Sequence, residues 1–207
     1  MKPSLDEKVR ELLARHLDPF FGGEGFARTG TDYRRARDRC IQHVFFRFDI
    51  EDVPEGRCYY SANLEFPELE EALNLGRRDE DDVNTVGKQM GYLGKHPAFE
   101  EWPIAKRTDV SELGARFAAD VRDNALPFLD RYARLENVAA ALESGELFNL
   151  DARDAALKLA AARFLLGERE KALALLDRKA SELEGTPQGA RFLRLRRYLG
   201  QRVEGHS

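Results

Sequence analysis

Histidine, aspartate and serine side chains on one face of a predicted strand pair could form a nucleophilic triad. The three residues are His43, Asp49 and Ser61. A triad needs a carboxylate that orients the imidazole and an imidazole that reaches the hydroxyl. Asp49 lies six residues from His43 along one strand, which is too far for it to orient the ring. The spacing therefore disfavours a hydrolytic triad, and we assign no catalytic residue.

Metal and cofactor binding is a second kind of chemistry to consider. The sequence contains four histidines: His16, His43, His96 and His206. None lies three or four residues from another histidine, as ligands on one helix face would. The glycine-rich run at 22–25 lacks the Lys-Ser/Thr pair of a phosphate-binding loop. An acidic run at 79–82 lacks calcium-loop spacing and is expected in an exposed loop. We therefore expect no metal and no cofactor.

Non-covalent binding is the chemistry that the same strand pair supports best. Polar residues of both charge signs alternate along its two strands: His43, Arg47, Asp49, Arg57, Tyr59, Ser61, Asn63 and Glu65. A rigid sheet face can hold such donors and acceptors in place for a partner, or it can simply be solvated. We take His43, Arg47, Tyr59 and Asn63 as candidate binding residues. An enzyme of unrecognised type acting around His43 stays open as an alternative.

An arginine-rich hairpin precedes this strand pair. Its arginines are Arg28, Arg34, Arg35, Arg37 and Arg39. Guanidinium groups bind phosphate through paired hydrogen bonds, but charge on an edge strand also prevents edge-to-edge association. We include Arg34 and Arg35 as candidate binding residues and keep a phosphate or nucleic-acid binder as a second alternative.

The strands that would position these side chains are predicted from period-2 alternation. They span 25–29, 32–37, 40–50 and 57–66, with a weaker fifth strand at 86–93. Matching the apolar faces of the third and fourth strands sets Phe46 opposite Tyr60 and His43 opposite Asn63. In this register Cys40 and Cys58 lie roughly 27 Å apart at ~3.4 Å per residue, so they cannot form a disulfide. Both fall on the apolar face and are expected in the core.

Helices are predicted before and after the strands. A capping box at Ser4 and Glu7 opens a helix that we expect to close at Asp18-Pro19. A short helix is predicted over 67–75, and from Val110 onward the apolar spacing is helical throughout. Breaks are expected near Pro127 and at three glycines: Gly145, Gly167 and Gly185.

Composition restricts the class of protein. The 207 residues carry a net charge of −4, with 43% hydrophobic and 34% charged residues. An acidic chain repels the nucleic-acid backbone, which disfavours nucleic-acid binding. The polar start, the absence of a membrane-length apolar stretch and the two cysteines predict a cytoplasmic protein. Residues 152–203 carry 12 Lys/Arg and 6 Asp/Glu, an excess that could face an acidic partner or the chain's own acidic middle.

Several short features over residues 5–142 resemble a bacterial domain of unknown function, family 4304. They are an opening helix that leads to Gly25-Phe26, the strand run Tyr33-Arg34-Arg35, a strand with central Gln42, a loop Trp102, and a helix ending Leu126-Pro127-Phe128-Leu129. The resemblance implies an α+β domain and no established activity. The segment around Leu159-Ala160, Gly167 and Glu170-Lys171-Ala172 resembles a tetratricopeptide-type hairpin, with Arg163 where that repeat has a tyrosine.

Together these patterns predict an α+β fold with an antiparallel four- to five-stranded meander packed on helices and an all-helical C-terminal part. We expect an α+β domain over 1–145, with a helical hairpin and a final helix over 146–207 docked on it. The favoured function is a non-enzymatic binding protein whose partner is another protein. The sequence leaves the identity of that partner and the oligomeric state open.

Overall fold

A computed structural model describes residues 4–51, 53–74, 86–147 and 152–204. Its contacts group the chain into two compact units, each built from two stretches of sequence. The first comprises Met1–Leu64 and Gly87–Arg131, and the second comprises Glu65–Val86 and Tyr132–Ser207. The expected division lies at residue 145, whereas this grouping places the described residues 65–74 and 132–145 with the C-terminal helices. The acidic run at 79–82 lies outside the described residues.

The first helix begins as the sequence predicts. Helix α1 spans Leu5–Leu12, and Ser4 and Glu7 form the predicted capping box. The predicted end at Asp18-Pro19 is wrong, because a π-helical turn at Leu13–Leu17 leads into a second helix, α2, at Asp18–Gly23. Pro19 falls in the first turn of α2, where the N–H that proline lacks would have no helical partner. The π turn thus places the proline where a helix tolerates it.

The sheet of the first unit is the predicted antiparallel meander, with one more strand than expected. Its strands are β1 Ala27–Thr29, β2 Asp32–Arg37, β3 Cys40–Asp49, β4 Glu55–Glu65, β5 Val86–Gln89 and β6 Trp102–Ala105. The order is β1-β2-β3-β4-β5, and β6 pairs antiparallel with the beginning of β4. Strand β5 is shorter than predicted, because Met90–Tyr92 forms a 3-10 turn. Strand β6 was not predicted, since the sequence around it reads as irregular.

Alternation along β3 and β4 buries one side of the sheet as predicted. Val44, Phe46, Tyr60, Ala62 and Leu64 are fully buried. The ring centroids of Phe46 and Tyr60, which the predicted register sets opposite each other, lie 5.6 Å apart. We call this side of the sheet the inner face and the opposite side the outer face.

Helices of the same unit cover the inner face. Helix α4 spans Val110–Asp120, and a second π-helical turn at Val121–Ala125 leads into α5, Leu126–Tyr132. The Phe117 ring of α4 contacts Phe46 and Trp102, with centroids 5.1 and 4.4 Å away. The aromatic side chains thus join sheet and helices into one core, and Trp102 lies buried in it.

Both cysteines lie in this core as predicted, and both thiols are free and buried. The Cys58 thiol donates a hydrogen bond to the backbone carbonyl of Trp102 at 3.3 Å. Burial raises the pKa of Cys40 to about 11 and that of Cys58 to about 12. Both side chains are therefore protonated structural groups at neutral pH.

The second unit is helical. It contains α3 Pro67–Asn74, α6 Leu135–Ser144, α7 Ala152–Leu165, α8 Arg169–Glu182 and α9 Pro187–Glu204. Gly145, Gly167 and Gly185 adopt φ of 75°, 84° and 77° at the predicted breaks, a conformation that glycine adopts without strain. Helix α7 packs against α3, α6 and α8, and α9 packs against α3 and α8. The helices after residue 146 thus pack on helices that precede it.

The basic residues of α9 pair within the second unit. Arg202 binds Glu71 of α3 at 2.8 Å, and Arg196 binds Asp177 of α8 at 2.8 Å. The Arg202–Glu71 pair agrees with the alternative in which the C-terminal cations face the chain's own acidic middle, whereas Arg196 pairs within the C-terminal segment. None of the described helices combines the length and the apolar character that crossing a membrane requires.

Candidate binding surface

The pairing of β2 with β3 decides which predicted site residues share the outer face. Arg34 stands opposite His43 and Asp32 opposite Phe45, whereas Arg35 stands opposite Gln42. Directly paired residues point to the same side of a sheet and neighbours along a strand to opposite sides. Arg34 and His43 therefore lie on the outer face, and Arg35 lies on the inner face with the core residues.

Arg35 belongs to a buried polar network on the inner face. Its side chain is 5% exposed, and its Nε donates to Gln42 Oε1 at 2.5 Å. Its terminal nitrogens donate to the Glu24 carbonyl at 3.0 Å and to Asp130 Oδ1 at 2.6 Å. Gln42 in turn donates to the Leu129 carbonyl at 2.9 Å. The guanidinium of Arg35 thus donates its hydrogen bonds inside the protein, and Arg35 is not part of the outer surface.

A compact charged cluster occupies the β2 side of the outer face. Asp32 Oδ2 accepts a hydrogen bond from Arg34 Nε at 2.5 Å and lies 3.3 Å from His43 Nδ1. Burial by itself would raise the pKa of Asp32, but the hydrogen bonds to His43 and Arg34 outweigh it and hold this pKa below its ordinary value. The acid that faces His43 is therefore Asp32 of the neighbouring strand, and not Asp49, which its spacing along β3 already places too far away.

The histidine itself is largely hidden. His43 is 5% exposed, and Asn63 of β4 is 8% exposed. The Asn63 amide donates to Ser61 Oγ at 3.0 Å, and a Cβ on Gly87 would collide with the Asn63 side chain. The glycine at position 87 therefore makes room for this amide. His43 and Asn63 therefore pack beneath the accessible side chains of the outer face and present little surface to a partner.

Aromatic and arginine side chains form the accessible part of the outer face. Phe45 is 43% exposed and Phe99, in the loop before β6, is 58% exposed. Tyr59 packs edge-to-face on Phe99 with ring centroids 5.7 Å apart. Arg47 lies two residues from Phe45 on the same side of β3, and its pKa is raised first by its hydrogen bond to Asp49 and next by the nearby Tyr59. We call Phe45, Arg47, Tyr59 and Phe99 the aromatic–arginine patch.

Two members of this patch are predicted site residues and two are not. Arg47 and Tyr59 follow from the alternation of β3 and β4. Phe45 could have been found, because it occupies a polar-face position of β3 and so breaks the alternation. Phe99 carries no such signal, since it lies 40 residues from Tyr59 in an irregular segment. Only the fold brings it to the sheet.

Carboxylates accompany the arginines on and near this face. Arg28 pairs with Asp18 at 2.7 Å, Arg47 pairs with Asp49 at 2.9 Å, and Arg57 pairs with Glu101. Arg34 and Arg35 bind Asp32 and Asp130 in the same way. The positive charges of Arg28, Arg34 and Arg35 in the hairpin are thus compensated locally. Among the described residues no three histidine, cysteine or acidic side chains are grouped to hold a metal ion.

Comparison with protein-family models, with curated proteins and with solved structures finds no significant match to this chain. The resemblance to family 4304 and to a tetratricopeptide-type hairpin therefore stays a prediction.

Proposed function

We propose that this protein is a binding protein that engages another protein through the aromatic–arginine patch. The observation that carries the proposal is the exposure of two phenylalanines, at 43% and 58%, beside Arg47 and Tyr59. Exposed aromatic side chains lose water-contacting apolar surface when a partner covers them. Phenylalanine, tyrosine and arginine are also the residue types enriched in protein interfaces.

The arrangement of charge favours a protein over a nucleic acid. Nucleic-acid binding draws most of its affinity from cations that neutralise phosphates. Here Arg34, Arg47 and Arg57 each already face a carboxylate, and the whole chain carries −4. An incoming phosphate would have to displace these carboxylates, whereas a protein partner can accept the paired arginines as they are.

An enzyme acting around His43 is the second candidate function, and one observation favours it. Asp32 lies 3.3 Å from the ring nitrogen of His43, which is the geometry by which a carboxylate orients a catalytic imidazole. The 5% exposure of His43 argues against this function, because a substrate must reach the ring. Turnover by the purified protein that Asp32→Asn and His43→Asn both abolish would establish it.

Site-specific crosslinking tests the leading proposal. A photoreactive phenylalanine analogue at position 99 should crosslink a partner, which is then identified, purified and titrated against variants. We expect Phe45→Ala and Phe99→Ala each to weaken binding by about tenfold. The matched control is Leu193→Ala, an exposed apolar residue of α9 with 52% exposure. Equal binding by the phenylalanine variants and the wild type, or equal loss with Leu193→Ala, would contradict the proposal.

A further inference from the structure

A groove in the second unit is separate from the patch described above. Its volume is about 540 Å³, and it lies between α6, α7 and α8. This volume is within the range of small-molecule binding sites, roughly 300–1,000 Å³. Every residue that lines it belongs to the second unit. The groove is therefore formed by that unit alone.

The floor of the groove is aliphatic. Leu142, Leu147, Leu159 and Leu175 line it and are each between 6% and 9% exposed. The alanines of the lining, Ala141, Ala155 and Ala156, keep the space between the helices open because their side chains are short. None of the described lining residues is aromatic. Such a floor favours a flexible hydrocarbon chain, which gains affinity by leaving water and needs no hydrogen bond.

Cations from α7 and α8 also line the groove. The lining includes Arg163, Arg178 and Lys179. Arg163 is only 17% exposed and is neutralised by Glu143 at 2.5 Å. Arg178 and Lys179 share a single carboxylate, that of Glu182. Lys179 Nζ lies 2.5 Å from Glu182 Oε2. Arg178 Nε lies 3.8 Å from Glu182 Oε1, which is beyond hydrogen-bond distance. The closest carboxylate contact of Glu182 is thus with Lys179, and Arg178 Nε lies within ion-pair range of Glu182 without a hydrogen bond to it.

Arg178 is the cation best placed to receive a ligand. Its side chain is 65% exposed, and a guanidinium binds a carboxylate through two parallel hydrogen bonds. An aliphatic floor beside an exposed arginine whose Nε lies beyond hydrogen-bond distance of Glu182 suits a ligand that is apolar along its length and anionic at one end.

We infer that this groove binds a small aliphatic carboxylate, with the hydrocarbon chain on the leucine floor and the carboxylate on Arg178. A peptide strand fits the site less well. The walls are helices, whose backbone donors and acceptors are already used internally, so they offer no strand edge for backbone pairing. An alkyl chain makes no such demand.

Titration of the full-length protein with decanoate, below its micellar concentration, tests this inference. Calorimetry should show saturable binding of decanoate and binding of decanol at least tenfold weaker, because decanol lacks the charge that Arg178 recognises. Arg178→Gln should weaken decanoate binding about tenfold and leave decanol unchanged. Ala155→Phe should abolish binding of both by filling the groove. Arg197→Gln, which removes an exposed arginine of α9 outside the lining, should bind as the wild type does.

Three results would overturn the inference. They are equal affinity for decanol and decanoate, unchanged decanoate affinity in Arg178→Gln, and no decanoate binding at all. The Phe45→Ala and Phe99→Ala variants should keep wild-type decanoate affinity. Failure of this inference is thereby distinguishable from failure of the proposed protein-binding function.

Discussion

Arg35 Nε donates a 2.5 Å hydrogen bond to Gln42 Oε1 across β2 and β3, on the inner face of the sheet. Its sequence neighbour Arg34 points to the outer face and is 54% exposed. Two adjacent arginines of the same hairpin thus have different environments, because successive residues of a strand point to opposite sides. One of them stabilises the core, and the other is a surface group.

This contrast predicts unequal effects of the same substitution at the two positions. Arg35→Met should lower the free energy of unfolding by about 2–3 kcal/mol, because it leaves Gln42 and the Glu24 carbonyl without donors. Arg34→Met should cost less than about 1 kcal/mol, since it removes only a partly exposed ion pair. Trp102, the single tryptophan of the chain, reports unfolding of the first unit by fluorescence in urea. Equal destabilisation by the two variants would show that Arg35 is not structural.

The cluster of Asp32 with Arg34 and His43 predicts a pH-dependent contribution to stability. A carboxyl whose pKa is lowered by folding stabilises the protein above its unfolded pKa, near 3.8, and this contribution is lost as the pH falls through the folded pKa. Asp32→Asn should therefore cost about 1–2 kcal/mol at pH 7 and progressively less below pH 4. Urea midpoints at pH 7 and pH 3 measure the difference. Asp123→Asn, at an exposed position of the same unit, is the control. A loss of unfolding free energy in Asp32→Asn that does not change with pH would argue against the ion-paired cluster.

A close approach of two helices predicts that a residue with better helix propensity will destabilise the protein. A Cβ added at Gly114 of α4 would lie 2.5 Å from His16 Cβ. Gly114→Ala should therefore lower stability by about 1–2 kcal/mol, even though alanine favours a helix by up to about 1 kcal/mol over glycine. Gly22→Ala in α2 is the matched control, because no atom lies within 4 Å of its added Cβ. That variant should be neutral or slightly stabilised. Trp102 fluorescence in urea measures the unfolding of both variants. A stabilised Gly114→Ala would mean that the two helices are not this close.

The buried thiols predict a clear difference in reactivity between the folded and unfolded chain. With pKa values near 11 and 12, Cys40 and Cys58 hold almost no thiolate at pH 8 and are shielded from reagents. Iodoacetamide at pH 8 should leave both cysteines unmodified in the native protein and alkylate both in urea. Mass spectrometry measures the number of alkylated cysteines in each case. Rapid native alkylation of either cysteine would contradict its placement in the core.

Local patterns in the sequence predicted most of the elements. The capping box at Ser4 and Glu7, the alternation of β3 and β4 and the helix ends at Gly145, Gly167 and Gly185 are all found in the structure. Each depends on residues within a few positions of one another, so the chain specifies it locally. The same reasoning missed β6 and the continuation of the first helix through Pro19. Strand β6 exists because β4 offers it an edge, and the π turn before Pro19 moves the proline to a tolerated position.

The binding surface was predicted only in part, for a related reason. Alternation shows which side chains of one strand share a face, but it says nothing about what reaches that face from elsewhere in the chain. The sequence alone determined that Arg47 and Tyr59 would lie on the polar side of the sheet. Only the tertiary structure decided that Asp32 faces His43, that His43 is buried and that Phe99 packs on Tyr59. These relationships join distant segments, and pairing and packing across such distances are set by the free energy of the whole fold.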